Sequence, residues 1–235
     1  MIRTIRKYHK WLMAFIGVQF LIWSITGLYM VTMDIHYIHG ESLQRQNQHP
    51  IAVNQVNYSL SDLHSEYPGA HQVTLTQLMA EPVYHFIDKD HTQRLIDAKT
   101  GQLLPLIDKL QALKIAKHQY TSGDAIASVQ LIDNQSQLPS ELASRHLPVW
   151  QVVFDNVWAP TFYISQNSGD IVTKRHFFWR LFDWMWRFHI MDYDDGENVA
   201  NWFLLLIALL GTLAALFGAT LTYQRVFKPN SQGAN

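Results

Sequence analysis

The 235-residue chain is close to neutral, with 18 Lys and Arg against 19 Asp and Glu, and 48% of its residues are hydrophobic. It contains no cysteine, which excludes disulfides, thiolate metal sites and cysteine nucleophiles. Charge is unevenly distributed: no acidic residue precedes Asp34 and none follows Glu197, so both ends are apolar and basic while every carboxylate lies between them.

Residues 11–33 carry no charged side chain. At about 1.5 Å per residue a helix of that length covers roughly 34 Å, enough for a hydrocarbon core of about 30 Å. The run is longer than the apolar part of a cleavable signal, about 7–15 residues, and no small-residue cleavage site follows it, so it reads as an uncleaved anchor. Arg3, Arg6, Lys7 and Lys10 lie on its outer side in sequence. A second uncharged run, 202–223, is richer in Leu and Ala and is followed by Arg225 and Lys228. Basic flanks on both outer ends predict cytoplasmic segments at 1–10 and 224–235. The stretch 34–201 is then expected on the far side of an inner membrane, the periplasm of a Gram-negative cell. Within the second span Gly211, Ala215 and Ala219 recur every four residues, and Ala214 with Gly218 forms a parallel ridge. Gly17, Ser24 and Gly27 make a weaker version in the first. Small residues at this spacing allow close approach of another helix or of a flat ligand.

The region 34–175 reads as an extracytoplasmic α+β domain of two similar units. Residues 83–88 and 94–98 predict short strands around the turn KDHTQ, closed by Thr100 and Gly101. Residues 149–155 and 161–165 repeat the arrangement, closed by Ser168 and Gly169, which points to a duplicated hairpin module. Helices are predicted at 60–67, about 105–120 and 139–146, with Ser61 and Ser140 as caps of the first and last. Residues 176–201 then give an aromatic, amphipathic helix suited to the outer interface, ending at His189, and an acidic loop of Asp192, Asp194, Asp195 and Glu197.

The run IDAKTGQL at 96–103 resembles the PepSY module. His9-Lys10-Trp11-Leu12 with Thr26-Gly27-Leu28, and Trp186-Arg187-Phe188-His189 before the last span, resemble the PepSY-associated transmembrane family. Larger members have four or more spans and reduce ferric siderophores with membrane-bound haem; two-span members are implicated in ferric iron reduction at the inner membrane. Only two spans are present here, and His-Ile-Met-Asp-Tyr stands where larger members often show a His-Thr-Gly-like turn.

The resemblance implies haem b, in a number it does not fix. Imidazole is a common axial ligand, and four of the 12 histidines flank the spans: His9, His36, His39 and His189. His36 and His39 share a face if the first span continues past the membrane. His9 and His36 are 27 residues apart, roughly 40 Å along one helix, and cannot bind one haem. Neither the second span nor its tail contains histidine, so a bis-histidine haem on the cytoplasmic side needs His9 from two chains, which favours a homodimer. On the outer side His189 can pair with His36, His39 or its own copy. Arg180 and Arg187, seven apart, can meet haem propionates or lipid phosphates. The loop carboxylates Asp192, Asp194, Asp195 and Glu197, with His36, His39 and Glu41 nearby in chemistry, offer hard ligands for Fe³⁺.

Taken with these residues, the resemblance implies a ferric reductase acting on ferric iron or a ferric chelate, supplying Fe²⁺ to a ferrous iron transporter. No G-x-G-x-x-G is present, so the electron donor is expected to be separate, a quinol or a flavin reductase. The other reading is a non-enzymatic accessory protein whose PepSY modules bind a partner while the spans anchor them. Hydrolase motifs are absent, and nothing beyond the short basic start suggests nucleic acid.

Overall fold

The structure, a computed structural model, describes residues 2–45, 50–51, 53–194 and 196–227; His49, Asp195 and Lys228 lie outside the described residues. The chain divides into two compact units, one made of Met1–Asp34 with Leu181–Asn235 and the other of Ile35–Arg180.

The first unit is helical. Helix α1 (Ile2–Thr32) and helix α6 (Trp202–Phe227) are both long and apolar enough to cross a membrane. With no Pro or Gly before Gly17, α1 starts ahead of the basic run rather than after it and carries that run on its first turns. It ends at Thr32, one residue short of the expected end at Met33, so the condition under which His36 and His39 would share a face of the same helix is not met. Asn201 caps α6: its side-chain oxygen accepts from the Leu204 amide at 2.8 Å, satisfying one of the amides a helix start leaves open. Within α6, Ile207 and Ala214 are buried seven residues apart, the repeat of a helix-packing seam. Ala215 and Ala219, the other small-residue ridge, stay exposed.

The second unit is α+β. Helix α2 (Ile35–Ile38) is a single turn. Helix α3 (Leu60–Glu66) begins at a capping box in which Ser59 and Asp62 serve each other's backbone amides; the cap is Ser59, and the expected cap Ser61 sits inside the helix. Strands β1 (His71–Leu78), β2 (Glu81–Ile87) and β3 (Gln93–Asp97) form an antiparallel sheet in that order. Leu63 of α3 packs with Tyr84, Phe86 and Ile96. Helix α4 (Lys109–Gln119), boxed by Asp108 and Gln111, is followed by β4 (Ile126–Ile132), β5 (Val149–Phe154), β6 (Thr161–Ser165) and β7 (Ile171–Arg175), again antiparallel in chain order. All of β6 is buried. Phe162 and Ile164 meet Ala112, Ile115 and Ala116 of α4, whereas Tyr163 meets Ile132, Leu142 and Val149.

The duplication is visible in detail. After β3, the Gly101 amide bonds the Asp97 carbonyl at 2.8 Å; after β6, the Gly169 amide bonds the Ser165 carbonyl at 2.9 Å. Both glycines have φ above +70°, and a Cβ would lie 2.4 Å from Tyr58 at Gly101 and 2.7 Å from Leu78 at Gly169. The isolated Ile96–Leu103 bridge stands beside the three-stranded sheet where Ile164 pairs with Ile171 in the four-stranded one. Strands β1, β4 and β7 were not expected, because their outer positions lack clean alternation. The helix expected at 139–146 is absent: only a 3₁₀ turn at Ser144–His146 forms, and Ser140 caps nothing. Helix α5 (Phe177–Ile190) runs from this unit back into the helical one.

Candidate functional site

His189 is near the end of α5, and its ring is fixed from three sides. Nδ1 lies 3.2 Å from the Thr26 hydroxyl oxygen. Thr26 is buried, and its one proton is already directed to the carbonyls of Ile22 and Trp23, at 2.9 and 3.0 Å. With that proton on a carbonyl the Thr26 oxygen accepts, which assigns the His189 proton to Nδ1 and leaves the Nε2 lone pair for another partner. The Trp23 indole stacks on the imidazole at 4.9 Å and 19°. Gly27 provides the space: a Cβ there would come within 3.1 Å of His189 Cε1.

His9 repeats the arrangement at the other end of α1. Its Nδ1 lies 3.1 Å from the Ala214 carbonyl oxygen of α6. A carbonyl only accepts, so the proton is again on Nδ1 and Nε2 again keeps its lone pair. The carbonyl's second lone pair can be reached because residue 218, one turn on, is glycine; a Cβ would lie 3.1 Å from His9 Cε1 and 3.7 Å from Nε2. Residue 9 is 17 residues from Thr26, so the two imidazoles stand roughly 25 Å apart along α1. Nδ1 bound to an acceptor with Nε2 open is the posture of a metal-ligating histidine, whose second nitrogen sets tautomer and ring orientation.

The other expected site residues fall elsewhere. His36 and His39 belong to the second unit and are exposed, with His36 Nδ1 3.0 Å from Glu41. Arg180, expected to meet a propionate or phosphate, is committed within the protein. It forks onto Glu141 at 2.7 and 3.0 Å and also donates to the Ala159 carbonyl and the Thr161 hydroxyl. Tyr163 donates to the same Glu141 at 2.6 Å, and burial with that carboxylate pushes its phenol up. Arg187 pairs with Asp183 at 3.0 Å and donates to the Asp194 carbonyl at 2.6 Å. The acidic loop wraps around it: Gly196 (φ +76°) leaves no room for a Cβ, which would lie 2.9 Å from Arg187 Cγ. Asp192, nearly buried, accepts from the amides of Asn198 and Asp194 and so shapes the loop. Asp194 and Glu197 are exposed, and Asp195 lies outside the described residues. Among the described residues no three His, Cys, Asp or Glu side chains converge into a metal site.

The positioning residue Trp23 carried no signal in the sequence, being an interior Trp in an apolar run, whereas Ala214 was marked with Gly218 as a small-residue ridge though its role here is through its backbone carbonyl. Thr26, Gly27 and Gly218 carried a signal: a polar residue and two glycines interrupt otherwise apolar spans.

Comparison with curated proteins and with solved structures returns no match to either. The chain is similar to the PepSY family, peptidase propeptide and YPEB domain, over residues 106–175, which hold α4 through β7. It therefore carries a PepSY domain flanked in sequence by two candidate membrane spans.

Proposed function

We propose that this chain is a haem-carrying ferric reductase of the inner membrane, with 1–10 and 224–235 cytoplasmic and the PepSY-like domain periplasmic. The single observation that carries the reading is the matched pair of span-flanking histidines, His9 and His189. Each has Nδ1 held by a buried acceptor, a glycine beside its ring, and an open Nε2. These residues fit haem b, and His9 and His189 are the side chains to hold it; bound there, haem supplies one-electron carriage across the bilayer. The protein's own part is to fix two ring planes and two tautomers about 25 Å apart. One chain offers one such imidazole at each level, so a homodimer supplies the second ligand at both. Arg180 plays no part in this scheme, being engaged with Glu141. The exposed carboxylates Asp194 and Glu197, close in sequence to His189, attract ferric iron or a ferric chelate to the periplasmic side. Electrons come from a separate donor, a quinol or a flavin reductase, and the Fe²⁺ product serves a ferrous iron transporter.

The test is an absorption spectrum of the detergent-purified protein, oxidised and then dithionite-reduced. A sharp Soret band with resolved α and β bands on reduction, lost in stages by His9→Ala and His189→Ala, is expected. A protein without visible absorption after expression with haem precursor refutes the reading and leaves an anchored accessory protein whose PepSY domain binds a partner.

A further inference from the structure

The β5–β6 turn departs from the composition of a solvent-facing turn. Gly, Pro, Asn, Asp and Ser dominate such tips, yet this one presents Val157 at 86% exposure and Trp158 at 45%. The turn is rigid. Asn156 accepts from the Trp158 amide through its side chain at 3.0 Å, and its carbonyl accepts from the Ala159 amide at 2.8 Å. Asn156 in turn donates to Asp124 at 2.9 Å, and Arg180 braces the Ala159 carbonyl at 3.2 Å. Two apolar side chains are thus presented outward by a turn tied down through four hydrogen bonds.

Their neighbours say what lies there. Trp158 packs against Phe178 at 4.8 Å and Phe177 at 5.7 Å, and the Phe177 amide donates to the Trp158 carbonyl at 2.8 Å. Phe178 meets Tyr37 at 5.7 Å. Tyr37 is five residues beyond Thr32, the end of the first span, so at most about 18 Å of chain separates them. Ile35, Tyr37 and Phe177 are themselves 45%, 39% and 46% exposed. The exposed apolar tip therefore belongs to an aromatic cluster that includes Tyr37, only a few residues of chain beyond the end of α1, and its content, Trp, Tyr and Phe around a Val, is that of a membrane-interface belt.

We infer that the Val157–Trp158 turn is a lipid-contacting tip that seats the PepSY-like domain on the leaflet its own span emerges from. The occupant is the bilayer: hydrocarbon and headgroup boundary around Val157, with the indole of Trp158 at headgroup level. This inference is independent of haem and of the reductase reading.

The absence of native cysteine makes the test clean. Full-length Val157→Cys and, as a reference, the exposed Gln135→Cys are labelled with an environment-sensitive fluorophore in phosphatidylcholine–phosphatidylglycerol nanodiscs. The label at 157 is expected to emit to the blue of that at 135 and to be quenched by brominated acyl chains, at a depth of about 5–10 Å below the phosphates. Emission matching position 135 without bromolipid quenching overturns the inference. So does a blue-shifted label that brominated lipid leaves unquenched, which would place protein over the tip. Because a polar replacement could itself alter insertion, a Trp158→Ala background serves as second variant: loss of quenching at 157 there supports the tip acting as one unit, and unchanged quenching removes Trp158 from it.

Discussion

Replacing Thr26 by Val removes one oxygen and keeps shape, which isolates the hydrogen bond to His189. In the native protein that oxygen has its proton turned toward Ile22 and Trp23 and accepts from Nδ1 at 3.2 Å. The distance is at the long end for N–H···O, past the usual 2.9–3.0 Å, so the bond belongs in the lower part of the range of about 0.5–1.5 kcal/mol. Loss of an outer partner of a metal-bound histidine costs about 10- to 100-fold in affinity, or roughly 1.4–2.7 kcal/mol. The long bond places Thr26→Val near the tenfold end. Trp23 stacking and the Gly27 space remain, so the ring keeps its plane but is free to turn over and expose the wrong nitrogen. The assay is haem retained per protein by reduced haemochromogen, titrated against a competing apo-haem acceptor, with His189→Ala as the full loss. An order-of-magnitude weakening with unaltered helix content is expected. Retention equal to wild type, alongside complete loss of that haem in His189→Ala, refutes the argument that the Thr26 oxygen sets the tautomer.

Gly218→Val is expected to displace His9, since its Cβ would sit 3.1 Å from Cε1, whereas Gly211→Val meets nothing within 4 Å and should leave the haem spectrum unchanged. Equal spectra for the two variants would sink the assignment of Gly218 as the His9 seat. Arg180→Gln breaks the fork to Glu141 and strands a carboxylate that also serves Tyr163; a cost of about 2 kcal/mol, or roughly 4–8 °C in thermal midpoint, is expected, without loss of visible absorption. His176 is buried, donating from Nε2 to the Tyr37 carbonyl at 2.9 Å, and burial holds its imidazole below the usual range. Its folded pKa is below the unfolded value of about 6.5, so the unfolded chain takes up the extra proton first. The contribution is complete above that pH and is lost as pH falls through it. The thermal midpoint should decline between pH 7.5 and 5, and His176→Gln should flatten that slope relative to wild type.

Much of this architecture follows from local chemistry. Two uncharged runs with basic flanks name the candidate spans, because a helix needs about 20 apolar residues to cross a hydrocarbon core. The turn glycines 101 and 169 name the duplication, because a left-handed φ beside a packed side chain admits nothing larger. The aromatic run 176–189 and the observed helix Phe177–Ile190 agree to a residue at each end, since a 3.6-residue apolar stripe bounded by polar residues has one regular solution.

What sequence left open depended on partners far along the chain. Nothing near Arg180 in sequence reveals that Glu141, 39 residues away, will take its guanidinium, and so a propionate or phosphate remained an equally good partner until the fold supplied one. Likewise Ser140 and Ser61 look as good as Ser59 for capping, and only the backbone direction entering a helix selects among them. The histidines show the division most plainly. Composition and position could single out His9, His36, His39 and His189 as flanking the spans, but a ring's tautomer is set by whichever acceptor reaches Nδ1. For His189 that acceptor is a hydroxyl 163 residues earlier, and for His9 a backbone carbonyl 205 residues later. Helix periodicity fixes which face a residue occupies; only the packing of one helix on another decides what stands opposite it, and that is what seats the Nδ1 of His9 and His189 on acceptors far along the chain.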